Sequence, residues 1–146
     1  MERRLKVSSL IEHFYRNGGY PYHIFEILEW SNEKWEDHHD FIQWIFPTTT
    51  PSKFNLSAPV LDDTAAKILK VYTDTILKLV NKFKEFIIAT DALGCLNHNY
   101  LRVSRVIQFL MEIGMRDEAE KFLIFAESKA GHNDFWSRAI KSQPLI

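Results

Sequence analysis

Two short stretches of this chain concentrate the side chains able to do chemistry. In the first, Glu36, His39, Asp40 and Gln43 recur at i, i+3, i+4 and i+7, the spacing of one helix face. In the second, His98, Arg102 and Arg105 fall within about 60° of one another at 100° per helical residue. A guanidinium fork matches carboxylate and phosphate oxygens two at a time. Arg102 and Arg105 are therefore candidate anchors for an anion in a cleft, with His39, Gln43, Asn55 and His98 orienting it. The competing reading is structural: two solvated helix faces, or a network in which Arg102 or Arg105 pairs with Glu36 or Asp40. Breaking a buried pair costs roughly 3–5 kcal/mol, so a buried arginine here has to be matched.

Other chemistries have thinner support. His38 and His39 are adjacent and would point roughly 100° apart on a helix, so they cannot chelate together. No His-x-x-x-His or Cys-x-x-Cys pair exists. Cys95-x-x-His98 is at most half of a metal site, or a thiol beside a base, with no third member in view. No metal, no cofactor and no catalytic residue is expected. Trp30, Trp35, Trp44 and Trp136 read as core packing rather than as an aromatic cage.

Helices must position these residues. The first should run from about Arg3 to Arg16 and stop at Gly18 and Gly19, because glycine takes left-handed backbone cheaply. A short helix around His23 to Trp30 follows Pro21. The next begins at the N-caps Ser31 or Asn32 and continues through Trp35, His38, Phe41, Ile42 and Ile45 to Pro47. Residues 47 to 61, with three prolines and three consecutive threonines, read as an extended loop. Asp62, Asp63 or Thr64 then caps a long helical stretch to about Thr90. Ile68, Val71, Tyr72, Leu79, Phe83 and Phe86 form its apolar face, and a break near Thr73 and Asp74 is expected. Helices follow from about Asn99 to Ile113, closed by Gly114, and from about Arg116 to Lys129, ended by Gly131. A short last helix carries Phe135 and Trp136. No window alternates as a strand would. The expected fold is all-α, a single compact bundle of about six or seven helices forming one domain over residues 1–146.

Bulk properties agree. A chain of 146 residues buries roughly 70% of its unfolded surface, enough for a core without staples. Its 11 Phe, 5 Tyr and 4 Trp supply that core, each large apolar side chain being worth about 1.5–3 kcal/mol when buried. With 18 basic and 19 acidic residues the net charge is −1, which gives no footprint for nucleic acid or an anionic membrane. The dense basic patch Arg3, Arg4 and Lys6 reads as a solvated helix start, and the lysines between Lys67 and Phe86 as an ordinary surface face. A single cysteine fits a reducing compartment. With no apolar run near the roughly 18–20 residues of a span and no secretory leader, a cytoplasmic location is expected.

The same two stretches carry a family resemblance. His39-Asp40-Phe41-Ile42-Gln43-Trp44-Ile45-Phe46-Pro47 resembles the "HDYIQWLFP" signature of the opioid growth factor receptor conserved domain. Ser52, Asn55, Ala58, Pro59 and Leu61 follow in that family's order. His98 to Ile107, HNYLRVSRVI, resembles its second signature, "HNxLRITRIL", and Gly114 matches the glycine after that helix. The resemblance spans about residues 10 to 140. It implies a single all-helical domain, in a short stand-alone version without the long tails of the vertebrate receptors. Those receptors are described as binding an opioid pentapeptide and regulating growth at the nucleus. By this resemblance alone a nuclear location enters, and the family offers no catalytic residues to carry over.

Three functions are compatible with these residues. The first is a non-enzymatic binding or regulatory domain for a peptide, a protein partner or a small anionic ligand, anchored by Arg102 and Arg105. The second is an enzyme acting on a phosphate- or carboxylate-bearing substrate with His39 or His98 as general base. The third is a structural subunit of an oligomer, which requires a large exposed apolar patch.

Overall fold

Polar caps set where helices begin. Ser31 Oγ accepts from Lys34 N, Asp62 Oδ1 from Ala65 N and Asn133 Oδ1 from Trp136 N, each meeting an amide that the helix cannot pair. In the computed structural model, which describes residues 7–17, 22–53 and 55–145, these caps organise an all-helical chain. Its helices among those residues are α1 (Val7–Asn17), α2 (Ile24–Glu29), α3 (Asn32–Asp37), α4 (Ile42–Ile45) and α5 (Asp63–Leu69). A 3₁₀ turn (Lys70–Tyr72) leads into α6 (Thr73–Thr90), followed by α7 (Asn99–Glu112), α8 (Arg116–Ala130) and α9 (Asp134–Ala139). No strand occurs among the described residues, and none of their helices is long and apolar enough to cross a membrane. The expected start at Arg3, the stop at Gly18 and Gly19, Pro21, and the basic patch Arg3, Arg4 and Lys6 lie outside the described residues.

Left-handed backbone ends the long helices. Asp91 takes φ 51° after α6, while Gly114 and Gly131 take φ 84° and 79° after α7 and α8. At Gly131 an added Cβ would meet nothing within 4 Å, so glycine is there for its backbone and not for lack of room.

Aromatic rings fill the centre. Trp35 stacks on Phe83 at 5.8 Å between centroids, and Phe83 in turn on Phe122 at 5.7 Å, tying α3, α6 and α8 together. All four tryptophans are buried. Two of them also place their indole N–H: Trp35 Nε1 donates to Ile27 O at 3.0 Å and Trp136 Nε1 to Tyr100 O at 3.0 Å. The core is thus aromatic throughout, with α7 packed against both α8 and α9.

Two expected helices are each divided. The stretch 31–46 forms α3 and α4 separated by a bend, because His38 is extended at φ −91°, ψ 130°. Glu36 therefore does not share a helix face with His39, Asp40 and Gln43. Trp35, Phe41, Ile42 and Ile45 are buried all the same. The break in the later stretch falls at the 3₁₀ turn, just ahead of the threonine pair expected to cause it. That turn rotates Val71 out to 78% exposure, away from the face it was assigned to.

Candidate functional site

The bend at 38–41 and the loop after Pro47 leave a cleft against one side of α7. Its volume is about 530 Å³. His39, Ile42 and Gln43 form one wall; His98, Leu101, Arg102, Ser104, Arg105 and Gln108 form the other. Thr48 and Thr50 to Lys53 make a strap across the end. Five of the six residues singled out from the sequence thus line one space. Asn55 does not. Its Nδ2 donates to Asp40 O at 2.9 Å, bracing the bend from outside.

Arg102 holds that bend in place. It is only 5% exposed, and its guanidinium donates to Trp35 O at 2.7 Å and to His38 O at 2.6 Å. A third, longer bond reaches Asn99 Oδ1 at 3.4 Å, and the group lies 5.4 Å from the centre of the Phe41 ring. The carbonyls at the end of α3 would otherwise be orphaned, and the negative end of a helix is where a cation is favoured. Arg102 thus replaces the next helical turn as their partner, which is why α3 stops at Asp37. Burial pushes its pKa down to about 10, with Glu36 opposing the fall, so it stays charged at neutral pH.

Arg105 and Glu112 position the strap. Arg105 donates to Phe46 O at 3.2 Å and to Thr50 O at 3.5 Å. Burial lowers its pKa and the nearby Glu112 raises it. The buried Glu112 carboxylate accepts from Thr49 N at 2.9 Å, Thr49 Oγ1 at 2.6 Å and Gln108 Nε2 at 3.1 Å. Gln108 Nε2 also donates to Thr50 Oγ1 at 3.0 Å. An expected pairing of an arginine with Glu36 or Asp40 is replaced by arginine-to-carbonyl bonds. Glu36 meets His98 Nε2 at 2.9 Å instead, and Asp40 accepts from Tyr22 Oη at 3.1 Å.

The remaining polar groups have spare capacity. His39 sits edge-on to His98 at 5.2 Å between ring centres and has no hydrogen-bond partner among the described residues. Lys53 likewise pairs with nothing there. Gln43 is 5% exposed; its Nε2 reaches Ser52 Oγ at 3.4 Å while Oε1 has no partner. Exchanging the amide's ends would leave the nitrogen unmet instead, so one hydrogen-bonding atom of Gln43 stays unused in either orientation. No carboxylate lines the cleft among the described residues, whereas Lys53, Arg102, Arg105 and two histidines do. No group of three metal-ligating side chains is found among the described residues.

No known family pattern, curated protein or solved structure matches this chain. The two polar stretches singled out in the sequence supply the two walls of the cleft. Lys53 and the threonines of the strap were not legible as site residues, because a loop declares no face, whereas Gln108, three residues after Arg105 on α7, was legible in principle. Leu101 was legible in principle, being an apolar residue one position ahead of Arg102 on the polar side of α7.

Proposed function

We propose that this chain is a binding domain whose cleft receives a ligand with an apolar body and an anionic group. The observation that carries this reading is the imbalance of the lining, which holds Lys53, Arg105 and two histidines and no carboxylate, while among the described residues Lys53 and His39 have no hydrogen-bond or ion-pair partner. Ile42, Leu101 and Pro51 supply the apolar contact. Arg102 and Arg105 both donate to backbone carbonyls, Arg105 through longer bonds, so Lys53 is the anchor, Arg105 assists it and Arg102 is the frame behind them. A short peptide, with apolar side chains and a terminal carboxylate, is a ligand of the required kind. The resemblance to peptide-binding growth factor receptors supports that choice.

The test is calorimetric titration with phenyl phosphate and phenylacetate, alongside native mass spectrometry of gently purified protein. Lys53 is exposed, so Lys53→Glu should fold normally. A charge-assisted hydrogen bond is worth about 1.5–3 kcal/mol, so the variant should bind at least tenfold more weakly. If wild type takes up neither probe and carries no extra mass, the cleft is not a ligand site.

One observation favours a second reading. Glu36 on His98 Nε2 fixes that nitrogen as the donor and leaves Nδ1 as a base beside the cleft. In that reading the bound anion is a substrate, and His98→Ala abolishes its turnover while leaving its binding within a few fold.

A further inference from the structure

Around the connection between α8 and α9, three side chains outside the cleft form a relay. His132 Nδ1 lies 3.2 Å from Glu127 Oε2, and Ser137 Oγ lies 3.1 Å from His132 Nε2. Glu127 comes from the last turn of α8, His132 from the connection after Gly131, and Ser137 from α9. The left-handed turn at Gly131 folds the chain back so that all three meet.

In the neutral imidazole the carboxylate fixes which nitrogen carries the proton. A carboxylate beside Nδ1 requires a proton on that nitrogen, which leaves Nε2 with a lone pair. Among the described residues the one hydrogen-bond partner of Nε2 is the Ser137 hydroxyl. That hydroxyl donates to Asn133 O at 3.1 Å, a carbonyl that also accepts from Ser137 N at 3.2 Å. Rotation about the Cβ–Oγ bond turns the same proton to Nε2, which lies at an equal distance. Carboxylate, imidazole and hydroxyl then stand in the order that activates a serine for acyl transfer.

We propose that Ser137 is a nucleophilic serine, activated by His132 and Glu127, that accepts acyl groups from small esters with good leaving groups. Ser137 Oγ attacks the ester carbonyl as its proton passes to His132 Nε2. Collapse of the adduct breaks the bond to the leaving oxygen, which takes that proton and departs as an alcohol or phenol. Water then attacks the acyl-serine with His132 as base, releasing the carboxylic acid and restoring the hydroxyl. The His132 side chain is 72% exposed, so no enclosing pocket sorts the substrate and small unhindered esters are favoured. This proposal is independent of the cleft.

The experiment is incubation of the full chain with p-nitrophenyl acetate, following nitrophenol release and mapping the acetylated residue by peptide mass spectrometry. Acetyl on Ser137 is expected, together with loss of the fast phase of release in Ser137→Ala. General-base assistance is worth roughly 10²–10⁴-fold, so His132→Gln should slow acetylation of Ser137 by at least about 100-fold. His132 is exposed, and the variant's unchanged melting temperature would show that it folds. Ser137 acetylated no faster than other surface serines, or at the same rate in His132→Gln, would overturn the proposal.

Discussion

Replacing Arg102 by alanine tests the central architectural claim, that a side chain of α7 terminates α3. Arg102 is 5% exposed and makes bonds of 2.7 and 2.6 Å to the buried Trp35 carbonyl and the part-buried His38 carbonyl. Each buried carbonyl left unmet costs about 1–3 kcal/mol, and packing against the Phe41 ring is lost as well. Relief of the buried charge gives some of this back, so the net loss should be near 3–4 kcal/mol. For a domain of this size that is about a 10 °C fall in Tm. Arg102→Lys should lose about 2 kcal/mol, because one ammonium cannot span both carbonyls as a planar fork does. Arg105→Ala should lose about 1–2 kcal/mol, since its bonds are longer and its head is less enclosed. Urea unfolding followed by tryptophan fluorescence reads all three, the indoles being buried in the native state. If Arg102→Ala costs less than about 1 kcal/mol with an unchanged denaturant slope, the capping account is wrong.

Three further outcomes follow from particular contacts. Tyr15 donates to Ile45 O, and burial raises its phenol pKa well above the ordinary value, so its stabilisation is complete below about pH 10. Above that pH the unfolded chain sheds the proton and the folded chain does not, so stability falls by about 1.4 kcal/mol per pH unit. Tyr15→Phe should cost about 1 kcal/mol at pH 7 yet lack this loss. Unfolding curves of the two proteins should therefore cross near pH 11, and parallel curves would refute the account. Glu112→Gln sets an amide N–H₂ against donors from Thr49 and Gln108, which should cost about 2 kcal/mol and speed hydrogen exchange at the Thr49 amide. Unaltered exchange would mean that the strap is held by other contacts. Gly114→Ala should cost about 1–2 kcal/mol because φ is 84° there, while the nearest atom, the flexible Lys70 Nζ, lies 3.4 Å from the added Cβ and can give way. A loss below about 0.5 kcal/mol in urea unfolding would show that the turn relaxes.

What the sequence disclosed depended on how local the cause was. Gly114 and Gly131 announce the ends of α7 and α8 because the backbone requirement and the residue that meets it coincide. Trp35, Phe41, Ile42 and Ile45 announce burial correctly, yet their spacing suits a straight helix as well as a bent segment. The deciding partner, Arg102, lies 67 residues from Trp35, beyond any local pattern. The cleft was legible at Gln43, Arg102 and Arg105, which helices carry, and at His39 and His98 beside helix starts. It was not legible at Lys53 and the threonines, whose place is set by Glu112, 63 residues from Thr49.

The bend between α3 and α4 also has a history during synthesis. Residues 31–46 leave the ribosome well before Arg102, which follows Trp35 by 67 residues. At roughly 5–20 residues per second that interval is about 3–13 s. Throughout it the Trp35 and His38 carbonyls have no guanidinium to meet, and the cap on the bend forms only when α7 emerges and docks. The cleft, whose two walls are that segment and that helix, comes into being in the same late event.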